Sequence, residues 1–158
     1  MKLKQYAIAG AILVLLVGFL IWRGQPEQVL KRRSKALIEM ANQASSGVGI
    51  FDLNRLEGLI DQELKYQIDA VSEEGGSAYV AEVVSGYQWM GENVEKSEFE
   101  IQEFTSLQIE GDRALVKMQV QSVLEMKGIR MMDGVQFVEF TWSKNDRGDW
   151  RLSEMLWK

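Results

Sequence analysis

Four side chains in this sequence have the type and spacing for acid–base work: Glu154, Asp69, Tyr66 and Glu139. Glu154 lies between Leu152 and Leu156, the i±2 positions that share one face of a strand. If that face is covered, burial favours the protonated carboxyl and suits it to proton transfer. Glu139, between Phe137 and Thr141, follows the same logic with less force. The competing reading is a glutamate at a cavity mouth paired with Lys or Arg, or on a half-exposed face. Asp69 and Tyr66 are candidates to line the same cavity, and Tyr87 and Trp142 are candidate pocket walls. Aromatic residues in such places more commonly fill a core than touch a ligand.

Histidine and cysteine are both absent. The chain therefore lacks the commonest base near neutral pH, the commonest metal ligand, thiol nucleophiles and disulfides. No metal and no cofactor is expected, and the balance tilts away from an enzyme. The sequence holds no Gly-rich loop ending in Gly-Lys, no calcium-loop pattern and no Asn-x-Ser/Thr acceptor. Charge is split along the chain. Met1 to Lys35 carries seven basic residues against the single acid Glu27, while the other 123 residues carry 11 basic and 22 acidic ones. So acidic a domain repels a phosphate backbone, and no nucleic-acid partner is expected.

The basic start brackets an apolar stretch. Tyr6 to Trp22 is 17 residues without a charge, about 25 Å as a helix and enough to cross a bilayer core at its short end. Tyr6 and Trp22 stand where amphipathic rings favour headgroups, and Lys4 and Arg23 can snorkel outward. A cleaved signal peptide is the competitor, but it needs small residues where this stretch ends Phe19-Leu20-Ile21-Trp22-Arg23. The expected organisation is a short tail (1–5), a transmembrane anchor (6–22), a linker (23–26) and one domain (27–158). Membrane contact through residues 6–22 makes this a single-pass protein. Arg23, Lys31, Arg32, Arg33 and Lys35 put more positive charge after the anchor than Lys2 and Lys4 put before it, but four of the five belong to the domain's first helix, so the domain is expected on the extracytoplasmic side.

The elements that must position the candidate residues are helices first and strands later. Pro26 suits a first helical turn, and Leu30, Leu37, Ile38, Ala41 and Ala44 recur at helical spacing over 27–44. Asp52 is the expected cap of a short second helix carrying Leu53, Leu56, Leu59 and Ile60. A short strand is expected over Leu64 to Val71. Glu73 to Gly76 reads as a break, and Ser77 as the cap of a third helix with Val80, Val83, Val84 and Tyr87 on its apolar face. From Ser97 onward the period is two, with turns at Glu110-Gly111-Asp112, near Gly128 and Gly134, and at Asn145 to Gly148.

Two surfaces are candidates for binding. Lys127 to Gly134 is an unusually apolar connection whose Ile129, Met131 and Met132 offer an adaptable surface to a partner or a membrane; alternatively Lys127-Gly128 is a tight turn and Met126, Ile129 and Met131 continue the strands into the core. Phe137, Met155 and Trp157 are expected, with Val135, on the outer sheet face, where a homodimer or another protein could dock. Lys31-Arg32-Arg33 with Lys35 reaches anionic headgroups only if its helix lies down, and otherwise forms a solvated face.

This order of elements resembles the NTF2-like superfamily, the SnoaL-like or cystatin-like α+β cone in which three helices pack on a curved antiparallel sheet. Gly148-Asp149-Trp150-Arg151-Leu152 through Trp157 resembles its closing strand. The resemblance implies two functions: a membrane-tethered, non-enzymatic binding or assembly module of the cell envelope, or an acid/base enzyme or binder of a small apolar ligand that uses the cone. The second requires a deep pocket converging on Glu154, Asp69 or Tyr66.

Overall fold

Alternation of buried and more exposed residues is clearest in the middle strand of the second half of the chain, and the sheet is built around it. In β4 (Arg113–Met126) every second residue from Ala114 to Leu124 is buried. Its neighbours are β3 (Val94–Glu110) and β5 (Ile129–Lys144), both antiparallel to it. Lys127 and Gly128 both have positive φ, 52° and 73°, as a two-residue turn matched to strand twist requires. The tight-turn reading of this hairpin is thus the structural one. β6 (Trp150–Trp157) returns along β5.

The computed structural model describes the backbone of residues 2–70 and 72–158 and the side chains of residues 11–70 and 74–158. Before the meander come α1 (Lys2–Gly24), α2 (Pro26–Gln43), a 3₁₀ turn (Ala44–Ser46), α3 (Ile50–Glu57), β1 (Ile60–Ile68), β2 (Ser72–Tyr79) and α4 (Val80–Asn93). The strand order is β2-β1-β6-β5-β4-β3. β1 runs parallel to β6, so the sheet is mixed where an antiparallel one was expected. The physical reason is that β1 and β2 form a hairpin of their own, which joins the meander through its last strand.

Two local expectations change with that hairpin. Ser77 does not cap a helix but lies in β2, and α4 begins only at Val80, where the Tyr79 N–H donates to the Glu82 carboxylate at 2.7 Å. Gly76, which reads as a breaker, sits opposite Tyr66 in the ladder, and a Cβ there would come within 2.9 Å of the Tyr66 ring. The glycine makes room for the aromatic side chain across the strand pair. Asp52 is the third residue of α3, its carboxylate accepting the Gly49 N–H at 2.9 Å, and Ile60 opens β1 instead of extending the helix. Val71 lies outside the described residues.

The core sits between the sheet and α2, α3 and α4. α2 turns Leu30, Ser34 and Ile38 inward at i, i+4 spacing, against a sheet face of Val116, Met118, Val120, Val138, Phe140 and Trp142. The end of α2 is fastened to the edge strand β3. Asn42 Nδ2 donates to the Phe99 carbonyl at 2.6 Å while the Phe99 N–H donates to Asn42 Oδ1. Ser97 Oγ donates to the Asn42 carbonyl at 2.8 Å. Replacing Asn42 by Ala removes both amide bonds and uncovers an edge, so a loss of about 1–3 kcal/mol is expected. A lower urea midpoint with unchanged slope is the readout.

α1 stands apart from this core: every residue from 11 to 24 is exposed. Tyr6 to Gly10 of the expected anchor lie outside the described side chains. Among the described residues no helix is long and apolar enough to cross a membrane.

Candidate functional site

One extra residue in β6 decides where the candidate acids go. Trp142 pairs with Leu152 and its neighbour Thr141 pairs with Glu154, leaving Ser153 as a bulge. Ser153 Oγ fills the bulge by donating to the Thr141 carbonyl at 3.1 Å and meeting Ser143 Oγ at 2.9 Å. Strict alternation would put Leu152, Glu154 and Leu156 on one face. The bulge instead sends Leu152, Met155 and Trp157 toward the helices and Glu154 and Leu156 to the outer face. Met155 and Trp157 are therefore interior residues, which corrects their expected place at an interface.

The interior holds a cavity of about 360 Å³ between α2, α4 and the sheet. Its walls include Leu37, Leu64, Ile68, Val83, Met90 and Met155. Positions 82, 83, 86, 87 and 90 of α4 form one helical stripe along it. Of the sequence candidates, Tyr66, Tyr87, Met155 and Trp157 line it. Tyr66 is 38 % exposed. Tyr87 is buried, and its hydroxyl donates to the Met40 carbonyl at 2.7 Å, tying α4 to α2. Burial, followed by the nearby Asp52 carboxylate, raises the Tyr87 pKa above its ordinary 10.0, so this phenol stays neutral and serves as a strut.

The acids lie elsewhere. Glu154 and Glu139, with Tyr66, line an open groove of about 520 Å³ on the outer face, between β2, β1, β6 and β5. There Glu154 is paired with Arg113 at 3.0 Å and Glu139 with Lys117 at 3.2 Å. These are solvent-facing ion pairs, the paired and half-exposed arrangement, and not the enclosed carboxyls that a covered face would have made. Asp69 is exposed beyond the end of β1, accepts a bond from Gln67 Nε2 at 3.1 Å, and lines neither space. Trp142 is fully buried, edge-on to Phe140 at 6.2 Å, and does not line the cavity, which corrects its expected role as a pocket wall. Of the apolar hairpin, Ile129 is 62 % exposed, Met131 is half-buried and Met132 is core, so only part of it offers a surface. Phe137 is exposed.

Glu82 and Gly86 of the cavity were not singled out from the sequence. A glycine on the apolar stripe of a helix was the available signal, since it leaves space where a side chain would fill it. Among the described residues no group of three or more acidic side chains is placed to hold a metal ion.

Neither a family model nor a curated protein matches the chain. Solved structures do. An NTF2-like protein from Cytophaga hutchinsonii superposes with a TM-score of 0.65 at 15% identity, covering 85% of this chain and 98% of that one. An NTF2-like superfamily protein from Salmonella enterica gives 0.63 at 11% identity, covering 83% and 88%. A protein from Streptomyces avermitilis, named as a dehydratase of the NTF2-like family, gives 0.61 at 15% identity, covering 82% and 92%. Identities this low speak for architecture and for nothing finer. With its helices, its mixed sheet and an apolar hollow between them, the chain has the NTF2-like fold.

Proposed function

We propose that this chain is a single-pass, membrane-tethered binding module, its domain on the extracytoplasmic side, whose cone takes up a small uncharged apolar molecule without transforming it. The apolar cavity carries this reading: apart from Glu82 and Gly86 its lining is aliphatic and aromatic, and none of Glu154, Glu139 or Asp69 belongs to it. Glu82, the carboxylate among its lining residues, already holds the Tyr79 N–H. Lysine and arginine are missing from the lining too, which disfavours an anionic ligand. The dehydratase name of one structural neighbour raises an acid–base alternative, which would need a carboxyl aimed into this space. The tether rests on the uncharged stretch Tyr6 to Trp22 and on the exposure of its described residues.

Because no described side chain of α1 is buried, residues 26–158 retain the whole core and can be studied alone. They are expected to bind the neutral dye N-phenyl-1-naphthylamine with a stoichiometry near one, seen as a fluorescence rise. Full-length protein is expected to stay in membranes washed with carbonate and to leave only with detergent. Absence of dye uptake would end the ligand reading, and release by carbonate would end the tether.

Exposed apolar side chains favour a second reading, self-association through the outer sheet face. Val135 and Phe137 on β5 are 51 % and 59 % exposed. Light scattering that stays monomeric across concentration would remove it.

A further inference from the structure

α2 presents Val29, Arg32, Arg33 and Ala36 as one stripe, since these positions are three or four residues apart. Opposite them, the end of α3 and the turn into β1 supply Arg55, Gly58 and Leu59. Together they line an open groove of about 410 Å³ with three arginines and no acid in its walls. Each guanidinium has one contact within the protein: Arg33 Nη1 to the Gly58 carbonyl at 3.5 Å, Arg55 to Glu39 at 3.6 Å, and Arg32 Nη2 to the Arg23 carbonyl at 2.9 Å. That last bond locates the groove. It ties Arg32 to the final turn of the apolar helix, one residue past Trp22, so the distance that separates the basic run from the membrane in a straight helix is closed by the side chain itself.

We infer that this groove binds the phosphodiester of an anionic phospholipid and docks the domain on the membrane that holds α1. The planar fork of arginine matches phosphate oxygens two at a time. The half-buried Val29 and Ala36 in the same lining suit the glycerol and the root of the acyl chains. Burial and the neighbouring Arg151 disfavour the charge on Arg33, the Asp149 carboxylate offsets part of this, and a bound anion adds to that offset. The inference rests on the tether proposed above, because the headgroup layer is what brings lipid to this height.

The test uses the full chain in dodecyl maltoside micelles, comparing the thermal midpoint with added phosphatidylglycerol and with added phosphatidylcholine. Phosphatidylglycerol is expected to raise the midpoint by about 5 °C over phosphatidylcholine. The shift should vanish in Arg32→Gln/Arg33→Gln/Arg55→Gln. It should persist in Arg113→Gln/Arg130→Gln/Arg147→Gln, which changes the net charge equally but away from the groove. Equal midpoints in the two lipids, or a shift kept by the first variant, overturn the inference while carbonate-resistant membrane association leaves the tether standing. An equal shift with millimolar glycerol phosphate assigns the groove to a free anion and overturns the lipid. Release of the chain by carbonate removes the tether, and the docking with it.

Discussion

Replacing Gly86 by Leu is expected to abolish uptake of the apolar dye while making residues 26–158 more stable by about 1 kcal/mol. The two effects have separate origins. Gly86 lies within α4, where glycine is a poor helix former, and no atom stands within 4 Å of a Cβ built there. The added side chain therefore meets no obstacle at its root and gains helix propensity. Its direction is set by the stripe that includes Glu82, Val83, Tyr87 and Met90, so the leucine fills the cavity. Weakening of dye binding by tenfold or more, with a raised urea midpoint, is the expected pair of measurements. A variant that is more stable and still binds the dye at full strength would place the ligand outside the cone.

Trp142→Ala is expected to cost about 3–5 kcal/mol, a large share of the roughly 5–15 kcal/mol that stabilises an ordinary domain. Trp142 is fully buried beside Phe140 and Leu152, so truncation leaves a hole that packed neighbours cannot close. Trp142→Phe is expected to cost much less, because the indole N–H meets no protein acceptor and deleting an unpaired buried donor recovers part of the lost packing. Glu154→Gln, by contrast, breaks a solvent-facing pair and is expected to change stability by less than about 1 kcal/mol. Urea unfolding of the three variants orders them. A Glu154 variant as damaging as Trp142→Ala would contradict the outward placement of the acid.

That contrast marks the boundary of what spacing reveals. The second half of the chain is legible because alternation is a local property: Ala114, Val116, Met118 and Val120 carry it whatever lies beside them. The turn at Lys127-Gly128 is legible for the same reason, since two positive φ angles are a local demand. α2 and α4 are legible from their apolar stripes. β2 is not, because Gly75 and Gly76 read as breakers until Tyr66 lies across from them. Nor is the face of Glu154, because the bulge at Ser153 is imposed by pairing with β5 and by the hydroxyl contacts to Thr141 and Ser143.

By itself, then, the order of residues determined the uncharged apolar stretch near the start, the helices that follow it, the long hairpins and the lack of thiol or imidazole chemistry. Each of these depends on composition or on neighbours a few positions away. Only the tertiary structure decided that β1 joins β6 in parallel, that Met155 and Trp157 face inward while Glu154 faces out, and that a hollow remains under Gly86. Those outcomes arise from contacts between segments far apart in sequence, where a single inserted residue reverses the face of everything that follows it.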